Sequence, residues 1–284
     1  MVHSGEIAEF ERIFIGDIAV NYVEDSGWVV TEPFGTPENF TDSLARVQTK
    51  PGGDHQNAFG GLADAFGVWT DEHRLKGIAC IYVRFYAPDE EDFIKVFPEG
   101  AQTAIRCDAL LSLIEDPRTG TVAYSDNPAA CIMDYLSHPD GYPGTDRSDI
   151  YVPDFAAFAD LCDEKVQRRD GDWDPRYRLW GVYSLQEDPK ETLRRMLATC
   201  DAELYERADG LIGIRGGQWT PPTITLTERD ILSYDLEQGS DRFATFNELK
   251  IVYTEEKQGF QPAEAQRWGN KADQARRGPA VEDF

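Results

Sequence analysis

The chain has 284 residues, 41% of them hydrophobic and 12% aromatic, enough to bury one large core or two ordinary ones rather than stay disordered. Its 52 acidic residues outnumber 28 basic ones for a formal charge of −24, which excludes broad phosphate neutralisation as a mode of nucleic-acid binding, though not a passage through which DNA slides without sticking. The five cysteines, Cys80, Cys107, Cys131, Cys162 and Cys200, are widely spaced with no C-x-x-C, so reduced and mostly buried thiols are expected instead of a disulfide framework.

Residues 10–23, FERIFIGDIAVNYV, predict two short strands around a tight turn at Gly16-Asp17. A loop rich in Gly, Pro, Thr and acid follows at 26–42, then a strand over Leu44–Gln48 ended by Pro51-Gly52-Gly53. From Asp54 a weak helical pattern through Ala58, Leu62, Ala65 and Phe66 is interrupted by Gly60-Gly61. Leu75–Tyr86, LKGIACIYVRFY, has the β-branched and aromatic density of a long strand. Residues 102–114 are ambiguous, with the first half favouring strand.

The second half carries clearer helix signals. Asn127-Pro128 has the form of an N-cap with proline at the first helical position, followed by Ala129, Ile132, Met133 and Leu136 at helical spacing. In 154–169, Phe155, Phe158, Ala159, Cys162 and Val166 form one apolar face. Asp188-Pro189-Lys190-Glu191 has capping-box spacing ahead of Leu193, Met196, Leu197 and Cys200. A strand is expected over RYRLWGVYSL (176–185), a hairpin turning at Asp209-Gly210, a short helix from Thr227–Asp230 and a last strand over Phe246–Thr254. With no sustained β-α-β-α alternation, the expected class is α+β, divided into a β-rich domain 1–125, a mixed domain 126–254 and an extended polar segment 255–284.

Local motifs for chemistry are scarce. The histidines His3, His55, His73 and His138 include no pair at i, i+3 or i, i+4, so zinc by local motif is excluded but not a site assembled across the fold. Asp170-Gly171-Asp172-Trp173-Asp174 opens like a calcium loop, but Pro175 and Gly181 stand where the turn glycine and the bidentate glutamate belong. Gly210, Gly213, Gly216 and Gly217 read as turn glycines in a hairpin. Ser125 beside Asp126 lacks a nearby histidine, and Cys131, near a helix start, has apolar neighbours that favour packing. Trp69, His73, Tyr82, Phe85 and Tyr86 read as core before they read as a ligand platform. No cofactor is expected. The N-terminal MVHSGEIAEFERIF lacks a signal-peptide pattern and no apolar run approaches the ~20 residues of a membrane span, so a soluble protein made in a reducing cytoplasm is expected.

The block DPRTGTVAYSDNPAACIMDYL (116–136) resembles a recurrent segment of the central tail-tip, or hub, proteins of long-tailed bacteriophages, the host-specificity class typified by phage lambda. WTDEHRLKGIACIYVRFY, FAAFADLCDE, RYRLWGVYSLQEDPKETLRRML, WTPPTITLTERDIL and FNELKIVYTEEKQGFQ resemble further family segments in the same order, spread between residues 69 and 261. The resemblance implies a structural protein rather than an enzyme. It implies a β-rich, ring-forming homotrimer that closes the distal end of the tail tube and is located at the virion tail tip. Its neighbours would be the distal tail protein, the tail tube or tape-measure protein, and another tip or receptor-binding chain. Asp116, Pro117, Arg118, Thr119 and Gly120 would then form a tight turn and Asp126, Asn127 and Pro128 cap a helix, shaping a corner rather than catalysing. IRCDALLSLIE (105–115) departs from the family's usual strand. Typical family members continue well beyond the segment matched here, so a separate chain is expected to complete the hub, with Trp268 and Phe284 as its contacts. The rival readings are a tail-associated cell-wall hydrolase and a carbohydrate-binding module.

Overall fold

The computed structural model describes residues 2–39, 42–87, 90–167, 171–219, 221–222, 224–235, 245–255, 259 and 261–283. The fold is α+β, with several antiparallel sheets and six helices among the described residues. The chain divides into two compact units, Met1–Trp219 and Thr220–Phe284. The boundaries expected at 125/126 and 254/255 lie inside these units. Among the described residues no helix is long and apolar enough to cross a membrane.

The first unit opens with β1 (His3–Ser4), β2 (Ile7–Ile15) and β3 (Ile18–Val20). Gly16, at φ +60°, supplies the positive dihedral that lets Ile15 and Ile18 pair across a two-residue turn. β4 (Ala45–Lys50), α1 (Gly60–Ala65), β5 (Ile78–Phe85), α2 (Glu90–Val96), β6 (Ile105–Glu115) and β7 (Val122–Tyr124) follow. Two sheets result, ordered β3-β2-β6-β7 and β1-β5-β4. The register of β2 against β6 shifts between Phe10 and Arg12, which leaves Glu11 as a bulge and sets Arg12 opposite Asp108 in a 2.6 Å ion pair. The ambiguous 102–114 segment is strand from Ile105 onward because β2 and β7 pair with it along opposite edges. α1 forms despite its glycines, and Gly61 is what allows it to lie on the Tyr82 ring: a Cβ there would come to 3.0 Å of that ring. Glu90–Val96 form a short helix; Asp89 lies outside the described residues. The helix delivers Phe97, fully buried, into a ring cluster with Phe34, Phe85 and Phe93 at centroid distances of 5.4, 4.4 and 5.0 Å. Ile13, Ile15, Val29 and Val47 complete this core.

A second core of the same unit gathers α3 (Pro128–Ser137), α4 (Val152–Asp163), α5 (Pro189–Thr199) and the hairpin β10 (Ala202–Glu206) with β11 (Ile212–Gly216), while β8 (Lys165–Gln167) and β9 (Trp173–Pro175) pair with each other. Ile132, Met133 and Leu136 meet Phe155, Phe158, Cys162, Cys200 and Ile214 there, so the helical spacings read from the sequence converge on one interior. Asp188 caps α5 by accepting from the Lys190 backbone, while the Glu191 carboxylate turns to Arg194 and not back to the cap. Two expectations fail in this region. The 154–169 helix stops at Asp163, and Val166 sits in β8 opposite Asp174, because the backbone N–H groups of Arg176 and Tyr177 take the carbonyls of Glu164 and Cys162. Residues 177–184 are irregular instead of a strand: their alternation is strand-like, yet Tyr177 donates to Cys162 and Leu179 to Asp126, outside any ladder.

The second unit holds β12 (Glu248–Lys250), β13 (Val252–Glu255), β14 (Gln261–Glu264), β15 (Trp268–Gly269), α6 (Lys271–Arg277) and β16 (Val281–Asp283). Its three-stranded sheet is ordered β15-β12-β16, with β16 parallel to β12, and β13 pairs β14 in a hairpin. The single strand expected over Phe246–Thr254 is broken at Ile251, and segment 255–284 contributes paired strands instead of an extended tail. Thr227–Asp230 form only one turn, since the Asp230 carboxylate takes the Thr227 backbone and hydroxyl donors in place of helix propagation. Asn247, 5% exposed, organises the unit: it donates to Asp273 and Gly278 and accepts from the Ala280 backbone.

Candidate functional site: the corner at 116–128

The chain reverses between β6 and β7 over Asp116–Gly120. The Asp116 carbonyl accepts from Thr119 and Gly120 at 3.3 and 2.8 Å, and its own N–H donates to Thr121 at 2.9 Å. Gly120 sits at φ +70°, where a Cβ would be strained. Pro117 is buried and the Thr119 hydroxyl accepts from the Thr121 backbone. Arg118 donates from its backbone to the Asp116 carboxylate at 2.8 Å and from Nε and Nη2 to the two carboxylate oxygens at 3.0 and 2.8 Å.

The same guanidinium reaches out of the turn. Nη1 lies 2.7 Å from Asp163 and 3.3 Å from Asp160, both in the last turn of α4. Two carboxylates at a helix C-terminus oppose the helix dipole, and a shared cation is the compensation such an end requires. The bond from Arg118 holds the Asp116 carboxyl below its ordinary range, and Asp116, Asp163 and Asp160 together push Arg118 above its own. Arg147 adds a 2.7 Å pair to Glu115 just before the turn.

The second half of the corner is the start of α3. Asn127 is 4% exposed and both ends of its amide are used: Oδ1 accepts from the Ala129 backbone at 3.0 Å, and Nδ2 donates to the Ala159 carbonyl at 3.0 Å. Pro128 follows at the first helical position, where its missing N–H costs nothing. The Asp126 carbonyl accepts from Leu179, and its carboxylate lies 3.6 Å from Arg178. Asn127 and Arg118 thus grip α4 at neighbouring points, Ala159 and Asp160.

The eight corner residues named from the sequence come together at this junction. Trp268 is on β15 of the second unit, 64% exposed, and Phe284 lies outside the described residues. Sequence reasoning missed Asp160, Asp163 and Arg178. The signal for the two aspartates was their place at a helix end where acids are disfavoured without a cation.

The reactive candidates are not poised for chemistry. Burial, with Asp126 and Asp134 nearby, pushes the Cys131 thiol up to about 12, so it stays protonated near neutrality. The Ser125 hydroxyl is occupied in accepting from the Asn127 backbone. All five cysteines are free, and among the described residues no group of three or more His, Cys, Asp or Glu is placed to hold a metal ion. Of the calcium-like loop, Asp170 lies outside the described residues, and β8 and β9 pair across the remainder as a hairpin. Trp69 stacks on His73 at 5.0 Å.

No family model matches this chain, and no curated protein sequence matches it significantly.

The corner's charge makes its strength pH-dependent. Arg118→Met is expected to cost about 1–2 kcal/mol at neutral pH, a network of partly exposed pairs being worth little more. A carboxyl with a depressed folded pKa contributes stability that is fully present above its unfolded value, about 3.9 for aspartate, and is lost as pH falls through the folded pKa. The stability gap between wild type and variant should therefore be full at neutral pH and close below about pH 4. Urea titrations at several pH values check this; a gap that persists unchanged into acid contradicts it.

Proposed function

We propose that the chain is a structural subunit of a phage or phage-like tail tip, a homotrimeric hub that closes the distal end of the tail tube and connects it to host-recognition components. The observation that carries the reading is the ordered resemblance of six segments between residues 69 and 261 to tail-tip hub proteins. The chemistry of the corner is compatible with it: Asp116, Arg118 and Asn127 are engaged in holding α3, α4 and the β6–β7 turn together. Ring closure by three copies requires head-to-tail interfaces, in which two different surfaces of one chain meet. The neighbours would be the distal tail protein, the tube or tape-measure protein, and a further tip or receptor-binding chain.

The acidic balance fits a tube end through which DNA leaves. The lining of the central passage should be acidic or neutral, since a basic lining would retain exiting DNA by its phosphates. The candidates for that lining are the segments 89–92 and 170–174, of which Asp89, Asp170 and the side chains of Glu90, Glu91 and Asp92 lie outside the described residues. Electron microscopy of the purified chain tests the reading directly: threefold rings are expected. Particles without threefold symmetry, together with peptidoglycan hydrolysis by the purified protein, would replace it with the hydrolase reading.

A further inference from the structure

The two units differ in charge and in packing. Residues 220–284 hold 12 of the 52 acidic residues and 8 of the 28 basic ones, which leaves the first unit with 40 acidic against 20 basic. Between Glu264 and Glu282 the imbalance reverses: Arg267, Lys271, Arg276 and Arg277 face a single acid, Asp273. Arg267 and Arg277 are engaged within the unit, the first with Glu248 and Glu264, the second with Asp273. Lys271 and Arg276 are exposed, Arg276 donating to the Ala272 carbonyl and helping to hold the Asp273 carboxyl below its ordinary range. Trp268, 64% exposed, stands three residues before Lys271.

The packing of this unit is incomplete as well. Among its described residues no hydrophobic side chain is buried, and its one buried residue is Asn247. Val252, Tyr253, Trp268 and Val281, all on strands, remain about half exposed or more. A small unit that buries so little apolar surface is marginal by itself and gains its stability from whatever covers it.

We infer that the segment Arg267–Arg277, on which Trp268, Lys271 and Arg276 are exposed, docks on the acidic first unit of a neighbouring copy of this chain, forming one half of a head-to-tail contact. The inference rests on the tail-tip reading for its ring and on charge complementarity for its occupant. A strongly acidic body repels a second acidic body, so a contact between copies is favoured where one of them presents a local excess of cations. The exposed tryptophan then supplies the desolvated anchor that aromatic residues commonly provide at interfaces. This places the basic residues between subunits, away from the acidic passage that DNA would use.

The test is sedimentation of the full chain. Wild type is expected to self-associate, and to do so less as salt rises from about 0.1 M to about 1 M, where the Debye length contracts from about 10 Å to about 3 Å. Lys271→Glu with Arg276→Glu should weaken association by at least about tenfold, since like charges placed opposite one another cost several kcal/mol. The neutral pair Lys271→Gln with Arg276→Gln should weaken it less, and Trp268→Ala should weaken it with little change in salt dependence. Unchanged circular dichroism in the glutamine pair separates docking from folding. Association indifferent to all three variants overturns the inference and leaves the hub reading to the symmetry of the ring. A wild type that is monomeric throughout, or a face that instead retains duplex DNA at low salt and loses it on charge reversal, also overturns it.

Discussion

Phe155→Ala is expected to lower the stability of the first unit by about 3–5 kcal/mol, the range for emptying a large aromatic side chain from a packed core. Phe155 is fully buried in the first turn of α4, and its core joins α3, α4, α5 and the β10–β11 hairpin. Cys162 and Cys200 fill the same interior, their thiols pushed up to about 12 chiefly by burial. Equilibrium denaturation in urea measures the change. A shift in midpoint at unchanged slope is expected, because the loss is of packing and not of compactness. A cost under about 1 kcal/mol would mean that the cavity collapses freely and that the elements around Phe155 are not one core.

Asn127→Ala is the second large effect, about 1.5–5 kcal/mol from two losses. Removing an N-cap acceptor costs about 0.5–2 kcal/mol. Leaving the Ala159 carbonyl buried without its Nδ2 donor adds about 1–3 kcal/mol. Asn127→Asp separates the two: it keeps an acceptor for the Ala129 N–H but has no N–H to offer Ala159. The aspartate variant should therefore fall between wild type and the alanine variant. If it matches wild type in thermal and urea unfolding, the tie between α3 and α4 contributes nothing and the corner is only a helix cap.

What could be read from the sequence was local. The start of α3 was legible because Asn127-Pro128 and the spacing Ala129, Ile132, Met133, Leu136 lie within ten residues. The cap of α5 and the turn at Asp209-Gly210 were legible for the same reason, with Gly210 at φ +81° meeting the demand of the turn. The reach of Arg118 was not, because Asp160 and Asp163 lie 42 and 45 residues away and nothing near Arg118 indicates them. The segment 176–185 has the alternation of a strand, but its backbone donors are taken by carbonyls of Cys162 and Asp126, a tertiary choice that propensity does not encode. The second unit was least legible. Its parallel β12–β16 pair depends on a crossover through α6, whose sequence KADQARR is polar on every face and carries no core stripe.

The central claim is that this chain is one of three copies closing a tail tip. A cryo-electron microscopy map of the assembled tail, with this chain fitted into the density at its distal end, tests it most directly. Three copies around the tail axis are expected, with Trp268, Lys271 and Arg276 at the contact between neighbours and an acidic or neutral lining to the central passage. One copy or six at the tip, or a lumen lined chiefly by arginine and lysine, would contradict it.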